Sequence, residues 1–531
     1  MPRPWSYATW SLVRVLPLLV LSAAIGAWPT LGCWGRDDDD AADDGAFNAD
    51  DDDSDDDDDD ANDGGVRQVV DLSLGEVAAV TLSDGHEAIV KLLDTASRAD
   101  DIRGAVREST IQVEVNGEAK WIECGNYTLP EPIGGVRADC PVSDALYINS
   151  DEDRWGLRKN ARVRLWPMEG RLFDAEEFVY PVLDQRWLAN RSQSGNEPTD
   201  DYLPFWTAIY YHSGTDIGGV DALDRVVAAV AGRIVLANGQ VLPGYEGTPA
   251  VLQQWAGSTR TDVVFIEDDR GRLYRYSHLD RTVEETTLGR RVEAGELIGF
   301  LGNGGASGGW PHLHFEIEAM QPSGLWGAEE AYVYLWEAYA DAEGPAVIAV
   351  ARPHRYAETG ETVMLDGSKS VAFLDEIASY EWEFTDGETA SGATVERTYD
   401  QPGFYTELLK VTDAEGRTAY DFATVQIVHA GDALPMYTYM HVAHSPSKDV
   451  RVGEDVVFKA RVFGIGGGKE DWDFGDGSPH ETTQSGNWPF TGDFAAVTHA
   501  YSEPGDYLVR VERFNERGEP AVVRLWVPVR E

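Results

Sequence analysis

Between residues 191 and 330 the chain has four histidines, His212, His278, His312 and His314, and each lies in a short pattern with chemical content. His212-Ser213-Gly214-Thr215-Asp216 puts an imidazole and a carboxylate at i and i+4 on a glycine-containing turn, a pairing with metal-ligand chemistry. Tyr276-Ser277-His278-Leu279 closes an apolar run. Pro311-His312-Leu313-His314-Phe315-Glu316-Ile317 is an H-x-H set in an alternating segment, entered from the glycine-rich stretch 302–309. Successive side chains on a strand point to opposite faces, so His312 and His314 share one face while Leu313 and Phe315 enter the core. A single histidine here reads most simply as a buried, hydrogen-bonded side chain, and an isolated H-x-x-x-D arises often by chance. The three patterns in this order, with the glycine loop between them, point instead to a reaction centre that uses a metal.

The elements around these residues predict a mainly β, multidomain protein. At 531 residues the chain is too long for one core, and Gly, Pro and β-branched residues are frequent. Residues 66–187 carry short alternating runs such as Val66–Val70, Ile111–Val115 and Arg162–Trp166, broken by Asp-Gly, Asn-Gly and Gly-Gly, which predicts a small β sandwich or barrel. Residues 188–330 hold the histidine patterns. The C-terminal third repeats itself: Trp382-Glu383-Phe384-Thr385-Asp386-Gly387 returns as Trp472-Asp473-Phe474-Gly475-Asp476-Gly477. Tyr399 through Tyr405 likewise returns as Tyr501 through Tyr507, each around a Pro-Gly turn. Trp and Phe at i and i+2 face one side of a strand, and Asp-Gly then turns the chain into a hairpin.

The N-terminus implies export. Arg3 and Arg14 precede an apolar run, Val15–Trp28, too short for a permanent membrane span, which reads as a signal peptide over 1–33. Thr30-Leu31-Gly32-Cys33 resembles a bacterial lipobox, making Cys33 a lipidation site; ordinary cleavage near Ala27, leaving Cys33 a spare thiol, is the alternative. Cys124 and Cys140 are the remaining cysteines, a disulfide pair in an oxidising compartment or else two reduced core residues. Residues 34–65, nearly all Asp from 37, self-repel and read as a disordered tether. They lack the Gly and Glu positions of an EF-hand calcium loop. A formal net charge of −50 excludes nucleic acid as a charge-driven partner and leaves the lipid as the route to a membrane.

The sequence H-x-x-x-D, Y-x-H-L, glycine loop, H-L-H-F-E-I resembles the LytM/lysostaphin-type zinc metallopeptidases, the duplicated-hybrid-motif fold, over about 115 residues. The resemblance implies one zinc ion held by His212, Asp216 and His314, with His278 and His312 as catalytic histidines, and peptides of bacterial peptidoglycan as substrate. The glycine loop departs from the family's Thr-containing pattern, which bears on substrate preference. Two His and one Asp suit a catalytic zinc with an open position. Asn303, Gly304, Trp310 and Tyr276 are the candidate substrate contacts, with Trp310 either a wall of the groove or a cover over the core. The C-terminal repeats, 345–430 and 437–529, resemble polycystic kidney disease (PKD) repeats, immunoglobulin-like sandwiches that serve as spacers or as binders of surface glycan or protein. A non-catalytic wall-binding lipoprotein, or an adhesin working through the PKD repeats, are the competing functions.

Overall fold

The computed structural model describes residues 66–531 apart from 126, 149, 151–152, 174–176, 191–197, 201–208, 244–251, 253–258, 306, 432–437 and 489–492. The stretches read as signal peptide and tether, and Cys33, lie outside the described residues.

The fold is mainly β throughout. In the N-terminal domain, Gln68–Leu72, Ala161–Pro167, Val136–Ser143 and Glu131–Ile133 form one four-stranded antiparallel sheet. Val77–Thr81, Glu87–Ala99, Val106–Val115 and Glu118–Glu123 form a second. Their alternating apolar residues meet in a core that includes Ile111, Val113, Val163 and Leu165. Cys124 and Cys140 stand opposite each other in that core as buried thiols. Burial, followed by the neighbouring Cys124, pushes the Cys140 thiol far up, so it stays protonated.

The central domain is built on one twisted antiparallel sheet, ordered Thr215–Gly218, His312–Met320, Leu273–Ser277, Val264–Glu267, Gly232–Ala237, Gln240–Val241. A smaller sheet of Arg225–Val227, Leu297–Leu301 and Leu279–Thr282 lies beside it. Leu172, Phe173, Phe178, Tyr180, Val182 and Trp187, read from sequence as part of the preceding domain, pack into this core. Phe178 meets Phe315 edge-on, and Val182 bridges Val226. The helix Tyr332–Glu343 closes the same core with Tyr332, Val333, Tyr334 and Leu335, and ends at Gly344 in the left-handed conformation.

Both C-terminal repeats form sandwiches, and the motifs sit as their spacing predicts. Trp382, Phe384, Trp472 and Phe474 are all buried, and the Asp386-Gly387 turn is closed by Phe384 and Glu388 backbone bonds. The two sandwiches also share a nine-stranded sheet, joined where Gly403–Asp413 of the first runs parallel to Pro520–Val529 of the second at Phe404 and Ala521.

Candidate metal centre and peptide cleft

Register brings the metal-ligand candidates together. Thr215–Gly218 pairs antiparallel with His312–Met320 so that Asp216 lies opposite His314, and Ser277 lies opposite His314 from the other side. Directly opposed residues hold their Cβ atoms roughly 5 Å apart, close enough for one ion to bridge their side chains. His212 arrives from the turn before Thr215. That turn demands glycine: a Cβ on Gly214 would lie 2.6 Å from His314 Cε1.

The donor atoms converge tightly. His212 Nε2 is 3.0 Å from His314 Nδ1; Asp216 Oδ1 is 3.2 Å from His314 Nδ1 and 3.3 Å from His212 Nε2. A tetrahedral ion with ligand bonds near 2.0–2.1 Å has ligand–ligand edges of about 3.3 Å, so this triangle has the size of one face of a zinc tetrahedron. The tautomer of His314 adds to the case. Its Nε2 donates to Glu316 Oε2 at 3.2 Å, which leaves a lone pair on Nδ1 directed at the Asp216 carboxylate. Two lone pairs facing each other across 3.2 Å, with a second imidazole nitrogen beside both, are satisfied by a cation. Burial works against ionisation of Asp216, but the imidazoles around it, His212 foremost, outweigh this and hold its carboxyl well below the usual range. The residues present therefore fit a zinc ion.

Glu316 is set by its own support. Ser213 Oγ donates to its Oε1 at 2.6 Å and Arg275 Nη1 to its Oε2 at 3.1 Å, and the group is fully buried. Burial pushes the carboxyl up, yet the His314 bond and Arg275 prevail and keep it ionised. Such a carboxylate fixes the ring orientation of a ligand histidine and raises its basicity. Sequence reasoning passed over this residue, although its place two positions after His314 on one strand puts it on the same face. Arg275 had no sequence signal and arrives by pairing opposite Glu316, while Ser213 comes in on the turn that carries His212.

His278 and His312 stand side by side at one edge of the ligand triangle, ring centroids 4.7 Å apart. His278 Nδ1 donates to Gly304 O at 2.7 Å and His312 Nδ1 to Trp310 O at 3.1 Å, so in each ring Nε2 carries the lone pair. Nε2 of His312 lies 3.5 Å from Asp216 Oδ2. Burial holds both imidazoles below their ordinary pKa and neutral, most strongly in His278, where His312, His314 and Arg260 add to it; in His312 the Asp216 carboxylate opposes it. His278 has φ +68°, an uncommon conformation for a non-glycine residue, and it turns the chain out of its strand to aim this ring. Asp262, 3.9 Å from His278 Nδ1, is held by a two-pronged pair with Arg260, whose guanidinium fills the space beside Gly305.

Of the expected substrate contacts, Asn303 is exposed and Gly304 and Trp310 are half-buried along the glycine loop beside His278 and His312. Gly308 and Gly309 take positive φ, which lets the loop double back before Trp310. Tyr276 does not line the cleft. It is fully buried, and its hydroxyl accepts the Ala229 N–H at 2.7 Å. The strand's alternation is the reason: Tyr276 pairs with Phe315, a core-facing residue, and so shares its side of the sheet.

Residues 210–323 match peptidase family M23, and residues 345–428 and 440–523 each match the PKD domain. The chain thus carries an M23 peptidase domain followed by two PKD domains. Among solved structures it is similar to the antimicrobial peptidase lysostaphin from Staphylococcus simulans, at 19% identity over 44% of this chain and 92% of that one, with a TM-score of 0.19. It is also similar to Csd3 from Helicobacter pylori (16% identity, 45% and 54% covered, TM-score 0.18). A third similarity is to the PKD1 domain of Vibrio anguillarum Epp (28% identity, 16% and 94% covered, TM-score 0.14).

Proposed function

We propose that this protein is an exported zinc metalloendopeptidase that hydrolyses peptide bonds in bacterial peptidoglycan. The observation that carries the reading is the triangle of His212 Nε2, Asp216 Oδ1 and His314 Nδ1, with edges of 3.0–3.3 Å and two neutral histidines beside it. When bound there, zinc polarises the scissile carbonyl and brings the ionisation of water into the neutral range.

The chain's own residues do the rest. Glycine positions 302–309 let an extended peptide approach the backbone, with Trp310 at one wall. Gly304 O and Trp310 O hold the δ protons of His278 and His312, so each ring presents its ε nitrogen. One takes the proton of the attacking water on its ε nitrogen and passes it to the leaving amine; the other must gain a proton on its own ε nitrogen before it can donate to the developing oxyanion. Glu316 keeps the His314 ring in its ligating orientation. The apolar N-terminal run and Cys33 support secretion with a lipid tether, the acidic stretch 34–65 spacing the enzyme from the membrane.

The test is digestion of purified peptidoglycan by the zinc-loaded chain, with and without chelator, followed by mass spectrometry of the released fragments. Chelator and His314→Ala should each abolish release. Fragments that appear equally in all three samples, or in none, would sink the proposal.

A further inference from the structure

The second PKD module does not hang from the peptidase as a free spacer; its first two strands, Thr438–Ser445 and Asp455–Gly464, lie against the cleft. Trp310, the residue at the end of the glycine loop, packs onto the core of that module. Its indole stacks on His441 at 6.4 Å and 27°, and meets Tyr439 and Phe463 edge-on at 6.0 and 5.8 Å. All three module residues are buried, while Trp310 itself keeps part of its surface exposed. Arg461 Nη1 donates to Gly309 O at 3.3 Å, on the residue before Trp310. On its other side Trp310 faces the reaction centre, with its ring 6.2 Å from that of His312 and its carbonyl holding the His312 δ proton.

The contact is built rather than incidental. Lys459 Nζ pairs with Asp221 at 2.7 Å, and Ser445 Oγ donates to the buried Asp224 carboxylate. Gln185 Nε2 donates both to Asp224, at 2.8 Å, and to the His444 carbonyl, at 2.9 Å. The Arg186 N–H donates to Ser447 Oγ, and Ser447 N–H donates to Asp184 O. Buried polar groups satisfied across an interface fix one docking geometry, because any other leaves them unpaired.

We propose that the second PKD module is a working part of the peptide cleft: through His441, Tyr439 and Phe463 it clamps Trp310 and the end of the glycine loop, and so sets how tightly a peptide substrate is held. The residues named on the module are positioning residues, since they act through Trp310. An aromatic wall held on both sides before substrate arrives spares the peptide the cost of ordering it. The consequence for substrate rests on the peptidase reading above; the mechanical coupling does not.

The experiment uses the full chain as wild type, His441→Ala and His441→Phe, with soluble cross-linked peptides from peptidoglycan as probe. Removing one stacked ring should raise KM about five- to tenfold with kcat nearly unchanged, and phenylalanine should restore it. Zinc affinity should match wild type in both variants. Hydrogen exchange over residues 302–312, which needs no turnover, should quicken in His441→Ala and not in His441→Phe. Wild-type exchange and KM in a folded His441→Ala chain would make the module a spacer and overturn the proposal. A fall in KM or a gain in turnover would make it a cover over the site, and overturn it equally. If no sample releases fragments while exchange quickens, the peptidase reading fails and the clamp stands.

Discussion

Asp224 should make the junction between peptidase and second PKD module weaken as pH rises. Its side chain is fully buried between the two. Oδ2 accepts from Val220 N–H at 2.6 Å and Gln185 Nε2 at 2.8 Å, and Oδ1 accepts from Ser445 Oγ. Burial dominates these bonds, with Asp184 nearby adding to it, and raises the carboxyl from an ordinary 3.8 to about 7. Between those values the folded chain binds a proton the unfolded chain has lost, so the slope of stability with pH is negative. The ionisation cost is below about 1 kcal/mol at pH 4 and levels near about 4 kcal/mol above pH 8. Asp224→Asn removes the titration while keeping the shape: its amide oxygen can accept from Val220 and Gln185, and its amide nitrogen can donate to Ser445 Oγ. Thermal unfolding from pH 4 to 8.5 checks this. The variant should equal wild type near pH 4 and exceed it increasingly up to pH 8, by roughly ten degrees in midpoint. The difference between the two chains is the quantity to read, because His444, buried beside the same junction and pushed down to about 3, gives both chains a loss of stability at acid pH. A constant gap across the pH range would refute the reasoning.

Three further outcomes follow from the same contacts. Glu316→Gln should weaken zinc binding about 10- to 100-fold in a competition titration, by removing the anion that orients His314; unchanged affinity would strip Glu316 of that role. Tyr276→Phe should cost about 1–3 kcal/mol in denaturant unfolding, since the Ala229 N–H is left buried without its acceptor, while KM for peptide stays at the wild-type value; a raised KM would return Tyr276 to the cleft. Oxidation should join Cys124 to Cys140, read as a loss of two mass units that reductant reverses, and should stabilise the N-terminal domain by about 3 kcal/mol; two thiols persisting under an oxidant that reaches them would exclude the bond.

What the sequence declared about this protein is what local periodicity encodes. Alternation in 312–317 placed two imidazoles on one strand face, and the Trp-x-Phe then Asp-Gly spacing placed two hairpins in two sandwiches, because both depend only on the two-residue repeat of a strand and on turn chemistry. The same rule, applied one strand over, would set Tyr276 on the face of His278; the positive φ of His278 breaks the alternation and leaves Tyr276 in the core. Pairing across the sheet was not legible. Asp216 opposite His314, Arg275 opposite Glu316, and Phe178, Tyr180 and Val182 inside the peptidase core all join residues far apart in sequence, and nothing short-range specifies register between them. The role of Trp310 was open between a groove wall and a core cover; tertiary packing makes it a cover on the core of the neighbouring module, with its ring beside that of His312. The sequence by itself thus determined the chemical groups and the strands that carry them. Only the tertiary structure decided their distances, their protonation and the module that backs the cleft, because burial and opposed charges come from partners that the chain brings together only on folding.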